Sequence, residues 1–260
     1  MTVAVSEGFF VTMALETIGL KKKFDELVVI RDLSLRIEAG ARHALIGPNG
    51  AGKTTAINLL TGVLRPNAGR VLLEGSDITA LPVHKRVLRG LSRTFQINQL
   101  YADLTPLETI GLAVSERMGH GGDWWRRMGT RADINAEIGE NLARFHLLDV
   151  MNEPTTTLPY GKQRLLEIAL AISTRPRVLL LDEPAAGVPE NERHDILAVV
   201  ASLPRDVTVL LIEHDMDLVF SFADRISVLV SGALLVEGTP EQVARDPRVK
   251  AVYLGEVATI

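Results

Sequence analysis

The sequence predicts an α/β protein built on a mainly parallel sheet. Three short runs, residues 44–47, 178–182 and 207–213, are almost continuously apolar, as strands buried on both faces are. Helical patterns alternate with these runs, which is typical of crossover connections between parallel strands. Polar residues follow each run, and the carboxyl ends of parallel strands meet at one edge of a sheet, so we expect a single ligand site there.

Other segments predict a smaller antiparallel β layer and a helical region. Residues 15–24, 70–75 and 225–238 have the pattern of antiparallel strands, and Ser231 with Gly232 supplies a hairpin turn in the third segment. Between about 98 and 159 the strand pattern gives way to helical periodicity. Residues 246–256 predict a short terminal helix.

Composition excludes several classes of protein. The chain has 260 residues, of which 47% are hydrophobic, and its formal net charge of −4 gives no sign of a nucleic-acid surface. It has no cysteine, which excludes disulfides and cysteine-ligated metals. No run approaches the roughly 18 apolar residues that span a bilayer. We expect residues 1–12 to be a weakly ordered leader and residues 13–260 to form one domain.

A glycine-rich loop is the sharpest local signal. Residues 47–55, GPNGAGKTT, match the pattern G-x-x-x-x-G-K-[ST] between an apolar run and a helical pattern, which indicates the core fold of P-loop nucleotide triphosphatases. Backbone N–H groups of such a loop surround phosphates, the lysine adds a cation, and the threonine hydroxyl is a ligand for Mg²⁺. No guanine-reading N-K-x-D segment is found, so we expect ATP. The candidate binding residues are Gly47, Pro48, Asn49, Gly50, Ala51, Gly52, Lys53, Thr54 and Thr55.

Two carboxylates and a histidine follow the other apolar runs. Asp182 and Glu183 end the run 178–182, where Asp182 can orient Mg²⁺ and Glu183 can polarise an attacking water. His214 follows the run 207–213, where an imidazole can sense or stabilise a terminal phosphate. Taken alone, these acids could equally cap a helix or face solvent, and their weight comes from the phosphate loop.

Five motifs in this order resemble the ATP-binding cassette (ABC) family over nearly the whole chain. They are GPNGAGKTT, the glutamine of TFQ, LPYGKQ, LLLDEP and EHD. The resemblance implies that Phe24 stacks on adenine and that Gln96 links Mg²⁺ and the attacking water to the helical region. It also implies that Glu183 is the catalytic base and His214 a switch histidine. Residues 158–162, with Tyr160, Gly161 and Lys162, are similar to the signature segment that closes on a partner subunit's nucleotide.

The resemblance also implies an architecture and partners. We expect an ABC ATPase fold with a nucleotide-binding core at 13–97 and 160–260 and a helical subdomain at about 98–159. ATP and Mg²⁺ are the implied cofactors, with Thr54, Gln96 and Asp182 at the metal. The implied partners are permease subunits and a second ABC ATPase subunit, the same chain or a related one, with a substrate-binding protein acting indirectly. The expected location is the cytoplasmic face of the membrane, held by the permease.

Finer features resemble the ATPases of branched-chain amino-acid importers. These are the Y-G-x-Q-R-x-L-E-I-A run, the DEPAAG segment, the length and the YLGE ending. The alternatives are the ATPase of a lipopolysaccharide-type exporter, which shares a similar ending, and an ABC ATPase outside transport. A P-loop kinase is a further alternative, but it requires an acceptor pocket in place of the signature helix.

The signature segment departs from the family pattern in two ways. Pro159 stands where serine is usual, which removes a hydroxyl donor and a backbone N–H. Lys162 stands where glutamine is common, and it either compensates with a positive charge at the same phosphate or faces solvent. Beyond Gly187, Val188 and Pro189 replace the more usual leucine and asparagine or aspartate. Whether this loop contacts the partner subunit across the dimer is therefore an open question.

Overall fold

A computed structural model describes residues 12–94, 100–120 and 132–254. The strands in these ranges are β1 (Met13–Phe24), β2 (Leu27–Leu33), β3 (Arg36–Glu38), β4 (Arg42–Ile46), β5 (Ala68–Leu73), β6 (Ser76–Asp77), β7 (Leu91–Arg93), β8 (Val178–Asp182), β9 (Thr208–Ile212), β10 (Arg225–Val230) and β11 (Ala233–Gly238). The helices are α1 (Lys53–Thr61), α2 (Val83–Leu88), α3 (Pro106–Arg117), α4 (Ala132–Arg144), α5 (Tyr160–Ser173), α6 (Glu190–Ala201), α7 (Met216–Phe222), α8 (Pro240–Arg245) and α9 (Pro247–Leu254). Two short 3₁₀ helices, Leu148–Val150 and Thr155–Thr157, precede α5.

The strands form one sheet in the order β6-β5-β1-β2-β11-β10-β4-β9-β8-β7, and β3 pairs with β1. The part from β10 through β4, β9 and β8 to β7 is parallel. Strands β1, β2, β3 and β5 pair in antiparallel fashion. The predicted parallel core and antiparallel layer are therefore both confirmed.

The predicted hairpin and terminal helix are confirmed as well. Strands β10 and β11 are antiparallel neighbours, and the turn between them has positive φ at Ser231 (48°) and Gly232 (76°). Two successive positive φ angles are the geometry of the tight hairpin turn that matches strand twist. Helix α9 is the predicted terminal helix.

The described part of residues 98–159 contains helices α3 and α4 and the two 3₁₀ helices, and no strand. Helix α3 begins with a capping box, in which the Thr105 hydroxyl accepts the Glu108 N–H and the Glu108 carboxylate accepts the Thr105 N–H. Helices α3, α4 and α5 share one hydrophobic cluster with β8 and β9. The division into a core and a helical subdomain stays a prediction, and residues 1–11 of the expected leader lie outside the described residues.

The two faces of the sheet are covered by separate apolar clusters. One contains Ala44, Leu179 and Leu211 together with the buried side of α5, and the other contains Leu45, Leu180 and Leu210 together with α1. Successive residues of β4, β8 and β9 therefore point to opposite faces and are buried on both. This burial fixes the three strands side by side, so that their carboxyl ends form one edge.

Candidate active site

The phosphate loop connects the end of β4 at Ile46 to the start of α1 at Lys53. Gly50 and Gly52 within it have φ of 78° and 103°, a region that glycine enters without strain. A Cβ on Gly52 would also lie 2.9 Å from Cδ1 of Ile30. The predicted candidates Pro48, Asn49, Ala51, Thr54 and Thr55 all lie in this loop or in the first turn of α1. The unpaired amides at the start of α1 suit an anion.

The β10–β11 hairpin holds the loop from behind. The N–H of Gly232 donates to the carbonyl of Ala51 at 2.9 Å. A Cβ on Gly47 would lie 2.2 Å from the carbonyl oxygen of Leu229, so only glycine fits where the loop leaves β4. Tyr253 of α9 lies beside the loop, because its hydroxyl interacts with the backbone of Gly47. Burial raises the pKa of Tyr253 to about 12, and the interaction with Gly47 offsets part of the rise.

Lys53 places its ammonium over the loop and towards the acids. Its Nζ donates to the carbonyls of Gly47, at 2.5 Å, and Pro48, at 3.2 Å. Partial burial lowers the pKa of Lys53, while the charges of Glu183 and Asp182 act in the opposite direction. The predicted lysine and the two predicted acids therefore share one electrostatic environment.

Asp182 ends β8 with its side chain only 3% exposed, and its partner is an arginine that the sequence patterns did not single out. One nitrogen of Arg93, at the end of β7, donates to Asp182 Oδ2 at 2.7 Å. Another donates to Oδ1 of Asn58, on α1, at 2.8 Å. Burial raises the pKa of Asp182, and the hydrogen bond from Arg93 opposes this rise. Arg93 thus connects β7, β8 and the helix that begins with Lys53.

Glu183 and His214 lie next to each other at the same edge. The N–H of Glu183 donates to the carbonyl of Ile212 at 2.9 Å, which aligns the ends of β8 and β9. His214 Nδ1 lies 3.8 Å from Oε1 of Glu183. The Glu183 side chain is 28% exposed, so water can reach it. Its φ of 48° is unusual for a residue other than glycine, and such backbone conformations concentrate at functional sites.

A second carboxylate, Glu213, lies beneath this pair. It is 2% exposed and accepts the N–H of Ala185 at 3.3 Å and the N–H of His214 at 3.2 Å. Its Oε2 lies 3.7 Å from Nδ1 of His214, so the imidazole lies between two carboxylates. Burial raises the pKa of Glu213, and the two backbone hydrogen bonds oppose this rise. Glu213 is the first residue of the motif EHD, but no role was predicted for it, although a charged residue at the end of an apolar strand is a usable signal.

The signature segment lies at the start of α5, where Pro159 is the N-cap and provides no side-chain hydrogen bond. Gly161 is buried, and a Cβ on it would lie 2.4 Å from Oε2 of Glu192. The ammonium of Lys162 is bonded to the carbonyl of His146 and, at 2.9 Å, to the carboxylate of Asp149. The ammonium is thus held by its own chain, and both expectations for Lys162, a positive charge at the phosphate and a solvent-facing cation, stay predictions.

Two further predicted residues stand apart. Phe24 ends β1 with 42% of its surface exposed, and Nζ of Lys22 lies 4.9 Å from the centre of its ring. An exposed aromatic face is what stacking on a base requires. Gln96, the predicted link to the helical region, lies outside the described residues.

Comparison with known proteins decides the family. The model of the ABC transporter family matches residues 30–186, more than half of the chain. The chain belongs to the ABC transporter family. Its fold is the ABC ATPase fold, and it is an ATP-binding ATPase of that family, as the motifs predicted.

Individual relatives agree with this assignment. The chain is 42% identical over 249 residues to the high-affinity branched-chain amino acid transport ATP-binding protein BraF of Pseudomonas aeruginosa, covering 93% of this chain and 98% of BraF. It is 38% identical over 247 residues to the corresponding protein LivG of Escherichia coli K12, covering 92% and 96%. A second family model, for branched-chain amino acid ATP-binding cassette transporters, matches residues 233–259.

Solved structures of this ABC family have the same fold. The ADP conformation of MJ1267, an ATP-binding cassette of an ABC transporter, superposes with a TM-score of 0.81 at 30% identity, covering 94% of this chain and 99% of that one. A nucleotide-free ATP-binding cassette from an ABC transporter gives 0.79 at 29% identity, covering 93% and 98%. None of the helices within the described ranges combines the length and the apolar composition that a membrane-spanning helix needs.

Proposed function

We propose that this ABC ATPase powers an importer of branched-chain or related amino acids by hydrolysing ATP with Mg²⁺. The observation that carries the proposal is the meeting of Lys53, Glu183 and His214 at one sheet edge, in a chain whose relatives BraF and LivG are named for branched-chain amino acid transport. The match of residues 233–259 to a branched-chain transporter model supports the same substrate class.

The residues at this edge fit a magnesium ion. The Thr54 hydroxyl and the Asp182 carboxylate are hard oxygen donors, which Mg²⁺ prefers, and the remaining ligands would come from phosphates and water. Gln96 is the third residue that we propose here. Bound Mg²⁺ would neutralise charge on the phosphates. The chain's own contribution is to hold Asp182 in place through Arg93 and to oppose the protonation that burial favours.

Glu183 is the proposed general base. Its carboxylate is open to water and lies beside His214, whose ring is also close to Glu213. A carboxylate can accept a proton from water as the water attacks a terminal phosphate, and a neighbouring imidazole can stabilise the charge that develops. The ammonium of Lys53 lies at the loop where the β and γ phosphates are expected. Phe24 is proposed to stack on the adenine.

The start of α5 is proposed to serve a different nucleotide. The segment that contains Tyr160, Gly161 and Lys162 would close on the ATP bound by a second ABC ATPase subunit, the same chain or a related one, with the helix N-terminus, and not the Tyr160 hydroxyl or the Lys162 ammonium, directed at the γ phosphate. Two such subunits would enclose two nucleotides, an arrangement that we call the sandwich. ATP would close the sandwich and hydrolysis would open it, which moves attached permease subunits. The ATPase would reach the membrane through these permease subunits, and a binding protein would supply the substrate.

Reconstitution with its neighbouring membrane subunits tests this function. The full chain is co-purified with these subunits, which mass spectrometry identifies, and the complex is placed in vesicles that contain ATP, with the substrate-binding protein outside. The proposal predicts uptake of labelled leucine that depends on ATP and Mg²⁺. Outward movement of a lipid-linked glycan would favour the exporter alternative and overturn the importer. Stimulation of ATP hydrolysis only by nucleic acid or ribosomes would overturn a role in transport.

A further inference from the structure

Tyr160 is turned towards a loop of its own chain. It is the first residue of α5, and its hydroxyl donates to the carbonyl of Ala186 at 3.1 Å. The ring lies against Gly187, where an added Cβ would be 3.2 Å from the tyrosine oxygen and 3.3 Å from Cε1. Gly187 also has φ of 76°, a conformation that side chains other than glycine rarely adopt. Glycine at this position therefore allows both the turn and the close approach of the ring.

Ala186 is at the same time bonded to the peptide of Glu183. Its N–H donates to the carbonyl of Glu183 at 3.0 Å, which closes a tight turn after the end of β8. The two hydrogen bonds through Ala186 connect the start of α5 to the residue that we propose as general base. On the opposite side, the buried Glu213 holds the same turn through the N–H of Ala185.

The tyrosine ring is also fixed by its own helix. The guanidinium carbon of Arg164, one turn further along α5, lies 5.5 Å from the centre of the Tyr160 ring. Arg164 is 3% exposed and is paired with Glu167 at 2.7 Å. A guanidinium over an aromatic face is attractive, and here the cation is held in place by a buried partner. Movement of the start of α5 would therefore carry the Tyr160 hydroxyl with it.

We propose that Tyr160 is a positioning residue that connects the two nucleotide sites of the sandwich. The inference rests on the proposed function, because it requires the start of α5 to engage the second subunit's ATP. When that segment engages the second subunit's nucleotide, Tyr160 holds the turn that carries this chain's own Glu183. The hydroxyl acts within its own chain, through the carbonyl of Ala186, and does not contact a nucleotide.

The test compares Tyr160→Phe with Tyr101→Phe in the full chain. Tyr101 is 68% exposed, so its variant removes the same hydroxyl from a tyrosine outside the turn. Hydrogen exchange of the single chain without nucleotide is measured first. Loss of one hydrogen bond should speed amide exchange at residues 185–188 by about threefold to tenfold in Tyr160→Phe only. Exchange elsewhere in α5 should stay unchanged.

Steady-state ATP hydrolysis of the same variants is measured next. A misplaced Glu183 should lower kcat by about threefold to tenfold and leave the KM for ATP unchanged. Unchanged amide exchange at residues 185–188 would overturn the inference, and so would a raised KM with an unchanged kcat, which would indicate a contact with the nucleotide. Wild type and Glu183→Gln are measured in parallel. If only Glu183→Gln is inactive, the proposed hydrolysis stands even when the inference about Tyr160 fails.

Discussion

The phosphate-loop edge and the start of α5 differ in how fully their own chain completes them. At the edge, Lys53 is bonded to loop carbonyls, the hairpin donates to Ala51, and Asp182 has an arginine partner. The start of α5 has no side-chain cap at Pro159, and Lys162 is bonded to Asp149 and His146. The difference supports the proposed sandwich, in which one chain holds its own nucleotide and presents a second half to a partner.

The largest effect should follow from Glu183→Gln. Loss of the general base should lower kcat by at least about 100-fold, because positioned bases contribute roughly 10²–10⁴. ATP should still bind, since the phosphate loop is unchanged, and the closed dimer should accumulate. Phosphate release, ATP binding at equilibrium and particle size in the presence of ATP measure these three properties.

The exposed residue Glu190, at the start of α6, provides the matched control. Glu190→Gln removes the same charge outside the proposed edge, and its kcat should stay close to wild type. Normal hydrolysis by Glu183→Gln would show that another group activates the water. The phosphate-loop edge would then no longer differ from the start of α5 by carrying the general base.

A smaller effect, on stability and on the Mg²⁺ dependence of nucleotide binding, should follow from Arg93→Gln. This change leaves the buried Asp182 without its cation, and breaking a buried ion pair in this way costs about 3–5 kcal/mol. The concentration of Mg²⁺ at half-maximal nucleotide binding should rise, while affinity for nucleotide in EDTA should stay the same. Urea unfolding and fluorescent-ADP titrations measure both. Arg89→Gln is the control, because Arg89 is exposed, and equal results for the two variants would refute the role of Arg93.

The buried carboxyl of Glu213 should give a dependence of stability on pH. Because burial raises its pKa, the folded chain binds this proton more tightly than the unfolded chain. Its contribution to the free energy of unfolding is therefore greatest below the ordinary pKa of about 4.5 and is lost as pH rises through the folded value. Glu213→Gln lacks this titration, so its stability relative to wild type should increase with pH above about 4.5. Urea unfolding across this range tests the sign, and a constant difference would contradict it.

The smallest effect concerns Pro159 and Lys162. The Lys162 ammonium is held by oxygens of its own chain, so we expect the effects of Pro159→Ser and Lys162→Ala on the ATPase rate to add in the double variant. Steady-state ATPase rates of wild type, the two single variants and the double variant form a double-mutant cycle. A clear departure from additivity would support the alternative, that Lys162 moves to the phosphate and replaces the contact that Pro159 lacks.

Much of the fold followed from local patterns. Three apolar runs predicted β4, β8 and β9 because burial on both faces leaves no alternation, and Ser231 with Gly232 predicted the hairpin because that turn needs positive φ. The phosphate loop could also be predicted from the sequence, because its backbone conformation requires glycine at fixed positions. In each case a short segment carries its own physical constraint.

The rest of the site depends on contacts between distant segments. Arg93 meets Asp182 over a separation of 89 residues, and the hydroxyl of Tyr160 meets Ala186 over 26. No periodicity encodes such pairings, because they arise from the order of strands in the sheet. Lys162 illustrates the same limit, since its partners are supplied by the loop after α4 and a 3₁₀ helix.

The most direct test of the central claim, that the phosphate loop and the start of α5 of one chain serve different nucleotides, mixes two inactive variants. Lys53→Ala disables the first half and Gly161→Asp the second. Dimers of this chain assembled from equal amounts of both variants should recover part of the ATPase rate of wild-type dimers, because one site then combines two intact halves. Each variant alone should stay inactive. A mixture as inactive as the separate variants would contradict the account.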